Sequence, residues 1–317
     1  MRSFSARVAR HFMSLRMVLL VGGVAVGGGL ALLGSLSGVG AQGYSAYADP
    51  QKPALSYLLS DQRNVEEFQK EFGLNDEQVQ QVLAVIHEQG DKLSREYAES
   101  EHIVNSTPKA SAASIKDKID DSDFDEKVKE AVAQTKSDVE ALLPEEKAGN
   151  LESWVNEQWQ QEKIEYAAAS ETTYQISSAS HTCTVWATFY TGNTRYEVAL
   201  PHQKARLGGG KKVRITVVGK GTRTSAPVKD VGPWNTRDNY WQLRRYRDMW
   251  ADLPRCTSEA EAAFYDNYNR GKDQFGREVL NPAAIDITPG VAHRLNVAKK
   301  IRREGLIEVR VYYSWLD

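Results

Sequence analysis

Cysteine is scarce in this chain, with two in 317 residues, which excludes a disulfide-dense scaffold. Neither cysteine lies near the apolar N-terminal span, so a lipid-modified cysteine anchor is excluded too. Metal-ligand spacing is absent: His87 and His102 have no partners at such spacing. The stretch Asp266-Asn267-Tyr268-Asn269-Arg270-Gly271 is only superficially a calcium loop, because Tyr268 and Arg270 occupy ligand positions. No metal and no cofactor is expected. No nucleic-acid-binding motif occurs, so nucleic acid is not the expected partner. Acidic residues are missing from residues 1–48 and charge of either sign from Met17 to Gly40.

That last absence marks the first segment. Arg2, Arg7, Arg10 and Arg16 precede the uncharged span, as in a secretory n-region followed by an apolar core. The 24 residues from 17 to 40 are enough to cross a bilayer, which reads as an uncleaved membrane anchor. Eight glycines in that span and the Ala46-Tyr47-Ala48 site favour a cleaved signal peptide instead. Both readings put residues 49–317 outside the cytoplasm, secreted or anchored at a bacterial cell envelope.

Charge then divides the rest. Residues 49–180 hold 13 basic and 28 acidic side chains, and residues 181–317 hold 23 and 14. A basic block outside the cell fits an anionic polymer such as wall glycan; mutual attraction of the two blocks is the alternative. Composition changes with charge near residue 180. Upstream, Val79, Val82, Leu83 and Ile86 recur at helical spacing after a cap at Asn75 or Asp76. Phe124 to Leu143 repeats the pattern, and after Pro144 so do Leu151, Trp154, Val155 and Trp159. Residues 49–180 are therefore expected to be an acidic helical domain, as a bundle or a stalk, with a linker at Asn105-Ser106-Thr107-Pro108-Lys109-Ala110-Ser111. Trp154 and Trp159 fit a helical core better than a glycan platform.

Downstream the signals turn to strands: Cys183–Tyr190, Lys212–Val218, Ala226–Asp230 and Glu308–Trp315. Thr288-Pro289 opens a short helix through Leu295. Short strands with one helix predict a small closed barrel over residues 181–317. Cys183 and Cys256, an even pair in an oxidising compartment, read as a disulfide closing a loop of roughly 70 residues, worth about 4 kcal/mol on the chain-entropy account; two separate buried thiols are the competing reading.

Two carboxylate motifs frame the barrel's chemistry, Lys229-Asp230-Val231-Gly232-Pro233-Trp234 and Ala284-Ile285-Asp286-Ile287-Thr288-Pro289. Strand alternation turns Asp286 away from the face of Ile285 and Ile287. An aspartate before Gly-Pro also suits a local turn bond, and one before a helix suits a cap. Between the motifs lies an insertion, residues 235–283, with Trp241, Tyr246, Trp250, Phe264, Tyr265, Tyr268, Arg244, Arg245 and Arg247. Such residues suit sugar stacking and carboxylate pairing, or the core beneath a long loop.

Taken in order, Ala187-Thr188-Phe189-Tyr190, His202 followed by Gly208, Val213-Arg214-Ile215, Asp230-Val231-Gly232-Pro233-Trp234 and Ile285-Asp286-Ile287-Thr288 resemble the double-psi β-barrel of rare lipoprotein A (RlpA) and its expansin relatives. The resemblance covers about residues 183–317. It implies an α+β multidomain chain: N-terminal signal or anchor, helical region, and six-stranded double-psi barrel. It implies peptidoglycan as partner and lytic transglycosylase activity, or, as in expansins, binding without cleavage. It carries catalytic roles to Asp230, Asp286 and His202, with Trp234 and Tyr190 beside the motifs and Trp241 and Arg244 in the insertion as candidate substrate contacts. Val231 replaces the arginine that follows the first aspartate in the family pattern.

Overall fold

The computed structural model describes residues 53–106, 111–177, 181–207 and 210–316. The signal or anchor expected over residues 1–48, Gly208, and the Thr107–Ala110 centre of the expected linker lie outside the described residues. Among the described residues no helix is long and apolar enough to cross a membrane.

Among the described residues, seven helices build the first half: α1 (Ala54–Leu58), α2 (Gln62–Phe72), α3 (Asp76–Ser106), α4 (Ala112–Asp120), α5 (Phe124–Leu142), α6 (Glu145–Ala148) and α7 (Leu151–Ser177). Local chemistry sets their ends. Asp61 accepts the Arg63 amide at the start of α2, and Gly73 at φ 66° ends it in the left-handed conformation. Asn75 caps α3 reciprocally with Gln78, each side chain taking the other's amide at 2.9 and 3.0 Å. The predicted apolar stripes are the buried ones: Val79, Val82 and Ile86 on α3, Phe124, Val128, Val132 and Val139 on α5, and Leu151, Trp154, Val155 and Trp159 on α7. The helices form a packed bundle, so the stalk reading falls.

The second half is a closed six-stranded barrel: β1 (Thr182–Phe189), β2 (Val198–Leu200), β3 (Lys212–Val217), β4 (Arg223–Val231), β5 (Ala283–Ile287) and β6 (Leu306–Tyr313), in the order β1-β5-β2-β4-β3-β6. The pairs β1–β5 and β2–β4 are parallel, the others antiparallel. Period-two alternation fills the interior with Val185, Ala187, Val198, Val213, Ile215, Ile285, Ile287, Val309 and Val311. The final strand ends earlier than the sequence predicts, with Ser314–Leu316 in a 3₁₀ turn. Short helices α8 (Gln203–Leu207), α10 (Pro289–Arg294) and α11 (Ala298–Glu304) decorate the connections, and α9 (Glu259–Asp266) sits in the insertion.

Cys183 on β1 is bonded to Cys256 in the insertion, as the even pair predicted. The other side of the insertion belongs to the helices. Phe264, Tyr265, Phe275 and Val279 share one core with Trp159, Phe68 and Leu58. Trp159 meets Phe264 edge-on at 5.2 Å, and the Tyr57 and Tyr265 hydroxyls are 2.6 Å apart. Burial of a large apolar side chain stabilises by about 1.5–3 kcal/mol, so this shared core fixes the bundle against the barrel.

Candidate functional site

The two motif aspartates stand on one row of the barrel's outer face. Register pairs Thr188 on β1 with Asp286 on β5, Asp286 with Ala199 on β2, and Ala199 with Asp230 on β4. Asp286 and Asp230 are thus two strand spacings apart, about 9.5 Å between backbones. The small Ala199 lies between them. Ile285 and Ile287 point inward, as alternation requires.

Environment separates the two acids. Asp286 is 7% exposed and accepts a hydrogen bond from the Thr188 hydroxyl. Burial pushes its pKa up to about 7; the Thr188 bond opposes the rise, and the negative charges of Glu101 and Asp230 add to it. Asp230 is half-buried and accepts the amide of the next residue, Val231, at 2.9 Å rather than the amide two residues on that an Asx turn would use. Burial raises its pKa as well, against the Val231 amide and Arg206.

Tyr190 joins this cluster. Its hydroxyl donates to Glu197 Oε1 at 3.3 Å, and burial raises its pKa, helped by the charges of Asp230, Asp286 and Glu197. Glu197 is fully buried and also accepts from Thr194. Its backbone is clamped by Thr288, whose hydroxyl accepts the Glu197 amide at 2.9 Å and donates to the Glu197 carbonyl at 2.8 Å. Thr288 precedes α10 as predicted, but its side chain makes no cap bond because it is spent on this clamp. Gly192 closes the cluster: a Cβ there would lie 2.5 Å from Glu197 Oε1 and 2.8 Å from the Tyr190 hydroxyl.

The other expected site residues lie elsewhere. His202 is 4% exposed, with Nε2 3.1 Å from Asp248 Oδ2 and Nδ1 accepting the Lys204 amide. Burial lowers its pKa against the pull of Asp248. It staples the β2–α8 turn to the insertion. Trp241 is 3% exposed and stacks on Tyr313 at 5.0 Å, so it is core. Arg244 is exposed on a 3₁₀ turn. Arg247 is buried in an ion pair with Asp238 at 2.6 Å. Tyr246, at 58% exposure, is the insertion's open aromatic. Among the described residues no group of three or more His, Cys, Asp or Glu is placed to hold a metal ion.

Trp234 is 1% exposed, covered by the helices from one side and by Arg277 of the insertion. Tyr97 on α3 packs on its ring at 4.3 Å, and the Tyr97 hydroxyl accepts the Trp234 amide at 3.1 Å. One turn further, Glu101 reaches the carboxylate face. Glu101 Oε2 and Asp286 Oδ2 lie 3.5 and 3.6 Å from the point where a Cβ on Gly232 would stand. Glu101 Oε1 accepts from Arg277 Nη1 at 2.7 Å. Tyr97, Glu101, Glu197 and Arg277 escape sequence reasoning; the spacing of Tyr97 and Glu101 puts them on one helix face, but no local pattern names a partner more than 130 residues away.

Among proteins of known sequence, residues 173–309 match the family model described as a domain of unknown function (DUF8814). No curated protein matches.

Proposed function

We propose that the barrel is an RlpA-like double-psi domain that binds wall peptidoglycan and cleaves it as a lytic transglycosylase, with Asp286 as the acid. The observation that carries this reading is the pair of carboxylates on one outer row, one of them with its pKa raised by burial to about 7. Such a group can protonate a glycosidic oxygen and then take the proton of the sugar 6-hydroxyl, closing an anhydro ring without a water nucleophile. Asp230 and Tyr190, on the same face, would contact the sugar in this reading. The two parallel strand pairs in a closed six-stranded barrel support the double-psi assignment. The Arg-rich start with its uncharged span, and the Cys183–Cys256 disulfide, support an extracytoplasmic address, secreted or anchored.

A second reading, expansin-like binding without cleavage, is favoured by the burial of Asp286 and Trp234 under α3. Incubating the full chain, Asp230→Asn and Asp286→Asn with purified sacculi, followed by mass spectrometry of released material, decides between them. Anhydro-muropeptides that vanish in Asp286→Asn are the outcome expected. Pelleting with sacculi and no release from any version leaves the binding module. Neither pelleting nor release removes the wall reading altogether.

A further inference from the structure

Arg277 is fully enclosed, with none of its side chain exposed. Its own insertion and the residue just before it satisfy part of the guanidinium: Nε donates to Asp273 Oδ2 at 2.7 Å and Nη2 to the Trp234 carbonyl at 2.6 Å. The remaining edge is satisfied entirely by α3. Nη1 donates to Glu101 Oε1 at 2.7 Å and to Ser100 Oγ at 3.1 Å. Glu101 therefore stands as a carboxylate between a buried arginine and Asp286, presented by a helix rather than by the barrel. It retains 19% exposure, so the position is reached from solvent. Neighbouring charges are Asp273 and Glu101 on Arg277, and Asp286 across Gly232.

A guanidinium edge paired to a carboxylate from another segment is the arrangement that also recognises carboxylate ligands. We propose that the Nη1 edge of Arg277 is a carboxylate-binding subsite that α3 fills with Glu101, closing the Asp286 face until a carboxylate-bearing ligand takes the place of Glu101. Tyr97 closes with it, since its ring covers Trp234 and its hydroxyl holds the Trp234 amide. The inference rests on the wall-glycan reading only for the ligand's source, the free carboxylates of the peptide stems; the subsite itself does not depend on it.

The test has a part that needs no glycan. Thermal unfolding of the full chain and of Glu101→Ala is followed in sodium acetate and in sodium chloride of equal ionic strength. The variant loses Tm in chloride and regains at least half of that loss in acetate, with saturation, while the wild type shows no difference between the salts. An equal response of variant and wild type overturns the subsite. Should Glu101→Ala fail to fold, Glu101→Gln keeps the volume and is read by amide exchange at Trp234, which speeds at least about tenfold if Glu101 helps hold α3 closed; unchanged exchange overturns the closing role. Sacculus pelleting then examines the cover: Glu101→Ala pellets at about a tenth of the wild-type concentration, because the closed state withholds the binding-competent fraction. Equal pelleting by both overturns the cover. Acetate rescue with no pelleting by either leaves the subsite standing and removes the wall reading instead.

Discussion

Replacing Asp286 with asparagine changes how stability depends on pH, and the structure fixes the sign. An aspartate ionises at 3.8 in an ordinary setting and at about 7 in this fold. Between those values the folded chain binds a proton that the unfolded chain has released, so the group's contribution to stability falls as pH rises from about 4 to about 7. Three units at 1.36 kcal/mol each set a ceiling of about 4 kcal/mol on the span. Asparagine keeps the shape and an oxygen for the Thr188 hydroxyl but has no charge to bury. Asp286→Asn minus wild type should therefore be nearly constant below pH 4, climb through pH 4–7, and level off above pH 8 with the variant gaining up to about 4 kcal/mol. Urea unfolding with the disulfide intact, at half-unit pH steps, measures the difference curve. A curve that is flat from pH 4 to 8, or that falls, would refute a protonated Asp286 and with it the acid role.

Four further outcomes follow from the same geometry. Reducing Cys183–Cys256, or changing both to serine, should cost about 4 kcal/mol for a loop of this length, read in urea with and without reductant. Arg247→Met leaves Asp238 buried and unpaired and should cost about 3–5 kcal/mol, with Arg247→Met/Asp238→Leu recovering part of that loss in the same assay. Tyr97→Phe removes the acceptor for the Trp234 amide together with the hydroxyl's bond to Glu101 and should cost about 1–3 kcal/mol, with faster exchange at that amide seen by NMR. His202→Ala should lower Tm through its lost Asp248 bond yet leave the pattern of material released from sacculi unchanged; loss of release in a folded variant would return His202 to the site.

Reading forward from residues worked where the determinant is local. The stripes of α3, α5 and α7, the alternation in β1, β3 and β6, and Pro289 opening α10 are set by neighbours within a turn or a strand, and they stand where the sequence put them. Asp286 turned outward for the same reason. What failed was long-range. Of the two readings open for Trp241, sugar stacking or core, only its packing on Tyr313 decides for core, and Trp234 is covered by Tyr97 from far upstream. His202 was assigned by motif order, and Asp248, 46 residues later, holds it instead. Glu197 gave no signal because its role depends on Tyr190 and Thr288 converging from two other segments.

The shared core has a consequence for biosynthesis. Tyr57 waits for a partner 208 positions further along, and Trp159 for Phe264, so the bundle leaves the translation machinery with part of its apolar face uncovered. The first half of the protein can reach its final stability only after the insertion has been made, which sets a long window in which a holdase could act and in which any arrest of synthesis before residue 280 would release an adhesive, half-finished bundle.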